Sequence, residues 1–120
     1  MRILDKLIAW LLVIFGMLHA AATFMIYKRL SIDAIWFFSG AIAIWFAAAL
    51  NLLRISYADR VPALRWVALA GNLMMLALDV VIAAAISLHG NPQVTVLAVL
   101  LLLEIAFSLR APYSASTARP

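Results

Sequence analysis

Five polar residues interrupt stretches that are otherwise almost wholly apolar: His19, Asn51, Asn72, Asp79 and Glu104. An imidazole near a carboxyl can relay a proton or steady a cation, and a carboxyl in apolar surroundings can retain its proton, which suits proton coupling. The two amides each offer donors and an acceptor that can bridge neighbouring segments. A charged or amide group in hydrocarbon is expensive, so each of the five should face inward and have a partner or a task. These five are the candidate ligand- or proton-binding residues. None is assigned a catalytic or a metal-binding role.

The elements that must position them are membrane spans. The chain has 120 residues, 68% of them hydrophobic, against roughly 45–50% in soluble domains. Apolar runs occupy 7–27, 34–53, 66–88 and 92–109, each near the ~20 residues that a ~30 Å hydrocarbon core requires. The expected fold is an all-α membrane protein, an antiparallel four-transmembrane-helix bundle in which 1–110 form one domain. The tail over 111–120, rich in Pro, Ser, Thr and Ala, is expected to be flexible and cytoplasmic. His89-Gly90-Asn91 followed by Pro92 reads as a tight turn and a helix start, making a hairpin of the last two spans. The segment from Ile55 to Arg65 is the longest connection, with Pro62 opening the third helix or a short surface helix. A basic start and the run Ala20-Ala21-Ala22 resemble a signal peptide, but the apolar stretch is too long and carries a histidine, so cleavage is not expected. No internal repeat is evident.

Basic residues set the expected orientation. Arg2, Lys6, Arg54, Arg60, Arg65, Arg110 and Arg119 fall on one side and only Lys28 and Arg29 on the other. Seven against two places both termini in the cytoplasm, with a bacterial inner membrane as the expected location. Trp10, Tyr57 and Trp66 then mark the inner interface and Tyr27 and Trp36 the outer one, while Trp45 is mid-span. The net charge of +4 comes from scattered residues. It points to anionic lipid and not to nucleic acid. Cysteine is absent, which excludes disulfides, thiolate metal sites and iron–sulfur ligation.

Helix rise gives the depth of each polar group. His19 and Asp79 come out near the bilayer centre, Glu104 roughly 5 Å to the cytoplasmic side, and Asn51 and Asn72 roughly 8–11 Å to that side. His19 is therefore expected to meet Asp79, and Asn51 to meet Asn72. Asn72 and Asp79 share one helix face. Ser39, Ala43, Ala47 and Asn51 make a row of small residues suited to close packing. Gly16, His19, Ala20 and Thr23 cluster on the first helix, and Glu104 and Ser108 stand one turn apart on the fourth.

The expected function is binding or transport of a small apolar or cationic molecule through this protonatable interior, with Asp79, Glu104 and His19 as the working groups. Apolar walls with a few convergent polar groups suit a small-molecule pocket. The chain resembles the small multidrug transporters, which are also four-helix chains, in size alone: that family's essential glutamate lies in the first helix, where this chain has none. One alternative is an accessory or scaffold subunit of a larger membrane complex. Another is an intramembrane acid–base enzyme or a quinone-binding subunit, and the balance is against an enzyme because no zinc, serine or paired-aspartate signature appears. No cofactor is expected: His89 lies roughly 14 Å from His19 along the membrane normal, too far for a haem held within one chain. The expected partners are membrane lipid, the small ligand, and a second copy or a larger membrane complex.

Overall fold

The computed structural model describes residues 1–86 and 88–111. It contains four long helices, α1 (Arg2–Ile26), α2 (Ile32–Tyr57), α3 (Ala63–Ala85) and α4 (Pro92–Leu109), with a single 3₁₀ turn, Leu88–Gly90, before α4. No strand occurs among the described residues. All four helices are long and apolar enough to cross a membrane. The expected flexible tail lies, except for Ala111, outside the described residues.

Local chemistry explains the helix starts. Ser31 caps α2, its hydroxyl accepting from the Ala34 N–H at 3.1 Å, and Asp33 places a negative charge in the first turn. Pro92 occupies the first turn of α4, where its missing N–H costs nothing. Pro62 precedes α3, which begins at Ala63. Three helices start earlier than the apolar runs: α1 at Arg2 and not at Leu7, α2 at Ile32 and not at Ala34, and α3 at Ala63 and not at Trp66. α2 also continues past Leu53 to Tyr57. Hydropathy marks where a run meets its first charges, whereas a helix ends only where its backbone bonds end. The extra turns carry Asp5 and Arg54 into helical, inward-facing positions.

The four helices pack as a ring. α1 lies along α2 and α3 along α4; α2 on α3 and α4 on α1 complete it, with a slight α2–α4 contact across the middle. Leu12, Ile44, Ala48, Leu97 and Leu101 make the apolar core. Small residues allow α1 and α2 to approach closely. At Gly16 a β-carbon would stand 2.5 Å from the Trp45 indole nitrogen, which donates to the Val13 carbonyl at 3.2 Å. Mid-span Trp45 therefore packs against α1.

Burial runs opposite to that of a water-soluble domain. The buried residues of α3 are Ala68, Asn72 and Asp79, while Met74, Val80 and Val81 on the same helix are exposed. On this helix the buried side chains are mostly polar and many large apolar ones face outward.

Candidate functional site

The polar interior is organised around an arginine that the apolar runs leave at a boundary. Arg54, near the end of α2, is buried among three other charged or amide side chains. Its Nη1 donates to Asp5 Oδ2 at 2.9 Å and its Nη2 to Asp5 Oδ1 at 2.6 Å, a two-pronged grip on a carboxylate from α1. The same Nη2 donates to Glu104 Oε2 of α4 at 2.8 Å. The Nε reaches toward Asn51 Oδ1, one turn back on α2, at a long 3.5 Å. A planar guanidinium suits this role because its donors diverge in one plane and satisfy two acids at once.

Asn51 extends the network to the remaining helix. Its Nδ2 donates to Asn72 Oδ1 at 2.8 Å, and Asn72 Nδ2 donates back to Asn51 Oδ1 at 3.0 Å. Asn51 Nδ2 also donates to the Ala47 carbonyl at 2.9 Å. Asp5, Arg54, Asn51, Asn72 and Glu104 thus join all four helices at the end where α1 begins and α2 and α4 finish. Nearby, the Arg65 guanidinium of α3 donates to the carbonyls of Ser108 and Leu109, closing the last turn of α4.

The cluster holds two carboxyls against one guanidinium. With both carboxyls ionised it carries one excess negative charge, and it is neutral when one of them holds a proton. Two buried side-chain atoms lack a hydrogen-bond partner among the described residues, Glu104 Oε1 in the cluster and Ser108 Oγ one turn on. A proton on Glu104 Oε1 would break no existing bond.

The expected meeting of Asn51 with Asn72 is present, and Glu104 lies in the same network. The expected meeting of His19 with Asp79 is not. His19 stacks on Phe37 of α2, ring centres 4.3 Å apart and planes 12° from parallel, and its Nε2 lies 3.0 Å from the Phe37 carbonyl oxygen. The physical reason is lateral: His19 and Asp79 were matched by depth, but α1 and α3 sit diagonally in the ring and His19 turns to its neighbour. Gly40 leaves the room, since a β-carbon there would meet His19 Nε2 at 3.0 Å. Asp79 is 4% exposed and has no hydrogen-bond or ion-pair partner among the described residues. Glu104 is therefore the acid held by an internal partner, and Asp79 is the one without a partner among the described residues.

Asp5 and Arg54 are the site residues that sequence reasoning missed. The available signal was charge: Asp5 and Arg54 border the first two spans with opposite signs, and Glu104 lies near the same end of the fourth.

A cavity of about 420 Å³ opens at the opposite end, around the α1–α2 connection. Its lining includes Tyr27, Lys28 and Arg29 but none of the polar cluster. Comparison with protein-family models, with curated proteins and with solved structures finds no match to this chain.

Proposed function

We propose that the chain is an integral membrane protein that binds or transports a small apolar or cationic molecule, with Asp79 as the acid that exchanges a proton or receives the cation. The observation that carries this is the contrast between the two acids. Glu104 is engaged by Arg54 through one oxygen, whereas Asp79, 4% exposed as a residue and with carboxylate oxygens not fully enclosed, has no partner among the described residues. A carboxyl in that state within a span is costly to keep, and such groups are characteristic of ion and proton pathways. Arg54 and its acids then serve as the fastening that holds the four helices around it.

In this reading the helices form an antiparallel bundle. Support comes from the pairs Asp5–Arg54, Val13–Trp45 and His19–Phe37, in which numbers rise along α1 as they fall along α2. Asn51–Asn72 relates α2 to α3 and Arg65–Leu109 relates α3 to α4 in the same sense. Both termini are cytoplasmic. With Arg54 drawn inside, Arg2, Lys6, Arg60, Arg65, Arg110 and Arg119 still outnumber Lys28 and Arg29. Exposed Trp10, Tyr57 and Trp66 at one end and Trp36 at the other suit interfacial belts, and the bacterial inner membrane is the location proposed.

A second reading, an accessory subunit of a larger membrane complex, is favoured by the same fastening: the charges satisfy one another and leave little for an outside ligand. Proton uptake by the purified protein, followed by titration across about pH 5–9, separates the two. Asp79→Asn preserves shape and removes one titratable group, so it should take up about one proton fewer than the unaltered protein over that range, and the same difference should persist in the Glu104→Gln background. An uptake curve in Asp79→Asn identical to that of the unaltered protein would remove the proposal and leave the accessory subunit.

A further inference from the structure

The cavity at the α1–α2 connection is a second candidate site, on residues separate from Asp79 and the arginine cluster. Its walls are apolar, with Phe24, Leu30, Ile35, Phe38 and Ile42 among them. Three hydroxyls also line it; those of Thr23 and Ser39 are already committed to their own helices, and that of Tyr27 stands next to Lys28 in the chain. Thr23 Oγ1 donates to the His19 carbonyl at 3.2 Å, and Ser39 Oγ donates to the Trp36 carbonyl at 2.6 Å. Apart from Tyr27, beside the two cations, the interior therefore has little polar capacity for a ligand, and its size falls within the ~300–1,000 Å³ usual for small-molecule sites.

Lys28 and Arg29, adjacent in the connection, line the same cavity. Both are exposed, and neither forms an ion pair among the described residues. The first turn of α2 begins just beyond them and adds the partial positive charge of a helix N-terminus. Asp33, also in that turn, offsets part of this field, but two cations against one carboxylate leave the rim net positive. An apolar slot under a cationic rim, at the end of two helices long enough to span a bilayer, calls for a ligand with an apolar chain and an anionic head.

We infer that this cavity binds an anionic phospholipid, one acyl chain lying along Phe24, Phe38 and Ile42 and the phosphate set against Lys28 and Arg29. Basic pockets between membrane helices recognise anionic headgroups through this combination. The site does not depend on which face of the membrane the connection occupies, and it does not require Asp79 to titrate.

The test uses the full chain in neutral detergent micelles, with phosphatidylglycerol or phosphatidylcholine of identical acyl chains added. Bound lipid is counted by native mass spectrometry. Phosphatidylglycerol should be retained at least about tenfold more tightly than phosphatidylcholine. Lys28→Gln with Arg29→Gln should weaken phosphatidylglycerol about 10- to 30-fold and leave phosphatidylcholine unchanged. Ile42→Trp, which fills the slot from a partly exposed position, should weaken both lipids. The pair Lys6→Gln and Arg60→Gln, at the other end, should change neither. Equal retention of the two lipids by the unaltered protein would overturn the inference without reference to any variant. Wild-type retention in the Lys28/Arg29 double variant would also overturn it. So would competition by glycerol 3-phosphate, a head without a chain, because binding would then rest on the charges alone.

Discussion

Removal of the Arg54 guanidinium, as in Arg54→Met, should be the most damaging single change to this fold. The side chain is 5% exposed, and the two acids it serves are fully buried. Methionine fills much of the volume, so the loss is chiefly electrostatic. It removes two bonds to Asp5 and one to Glu104 and leaves both carboxyls facing each other in a site without a cation. Removing one partner of a buried ion pair typically costs about 3–5 kcal/mol, because the remaining charge is stranded. In equilibrium terms that is about 150- to 5,000-fold.

Charge counting separates this from loss of contacts. Glu104→Gln keeps an oxygen for Arg54 and leaves one carboxylate to one guanidinium, so it should cost no more than about 1 kcal/mol. The triple change Asp5→Leu, Arg54→Met, Glu104→Leu removes every charge, and buried ionic groups replaced together by apolar ones of similar size are often neutral or stabilising. It should recover most of what Arg54→Met loses. Unfolding of bicelle-embedded protein by added dodecyl sulfate, followed through tryptophan fluorescence, supplies the free energies. A triple variant no more stable than Arg54→Met would refute the charge argument, as would an Arg54→Met variant within about 1 kcal/mol of the unaltered protein.

The amide pair should behave in the same manner on a smaller scale: Asn51→Leu strands Asn72 and should cost about 1–3 kcal/mol, and adding Asn72→Leu should restore part of it in the same unfolding assay. Gly16→Ala should destabilise by about 1–3 kcal/mol through overpacking, because its β-carbon would meet the Trp45 indole, and the near-ultraviolet dichroism of that tryptophan should change. Reporter fusions at the C-terminus and at Gly90 should give opposite topology signals, and matching signals would remove the proposed four-span orientation.

The helices and the Asn51–Asn72 pairing were legible because both follow from one-dimensional quantities. Apolar run length identifies a span, and rise per residue assigns each polar group a depth. What depth does not supply is azimuth and neighbour order around the ring. His19 and Asp79 share a depth but stand on helices that are diagonal to each other, so His19 went to Phe37 instead. Asp5 and Arg54 were passed over for a different reason, although their opposite charges at the span ends were a signal. Spans are bounded by their charges because a lone charge in hydrocarbon is prohibitive, yet a charge that meets its opposite 49 positions away is not alone. Only the tertiary structure distinguishes a flanking arginine from a buried one.

This distinction bears on what the interior can do. Had the five polar residues converged at one depth, they would have formed a single shared site. Instead the interior divides along the helix axes. At one end an arginine consumes the hydrogen-bonding capacity of Asp5 and part of that of Glu104 and draws all four helices together through the amide pair. Farther along α3, Asp79 is buried and has no partner among the described residues. Around the far connection the walls are apolar and the rim is cationic. A group that must exchange protons or cations has to be separable from the groups that hold the fold, because each cycle would otherwise weaken the fastening. In this chain the fastening and Asp79 occupy different turns, so under the proposed function a change of charge at Asp79 would leave Arg54 with its partners.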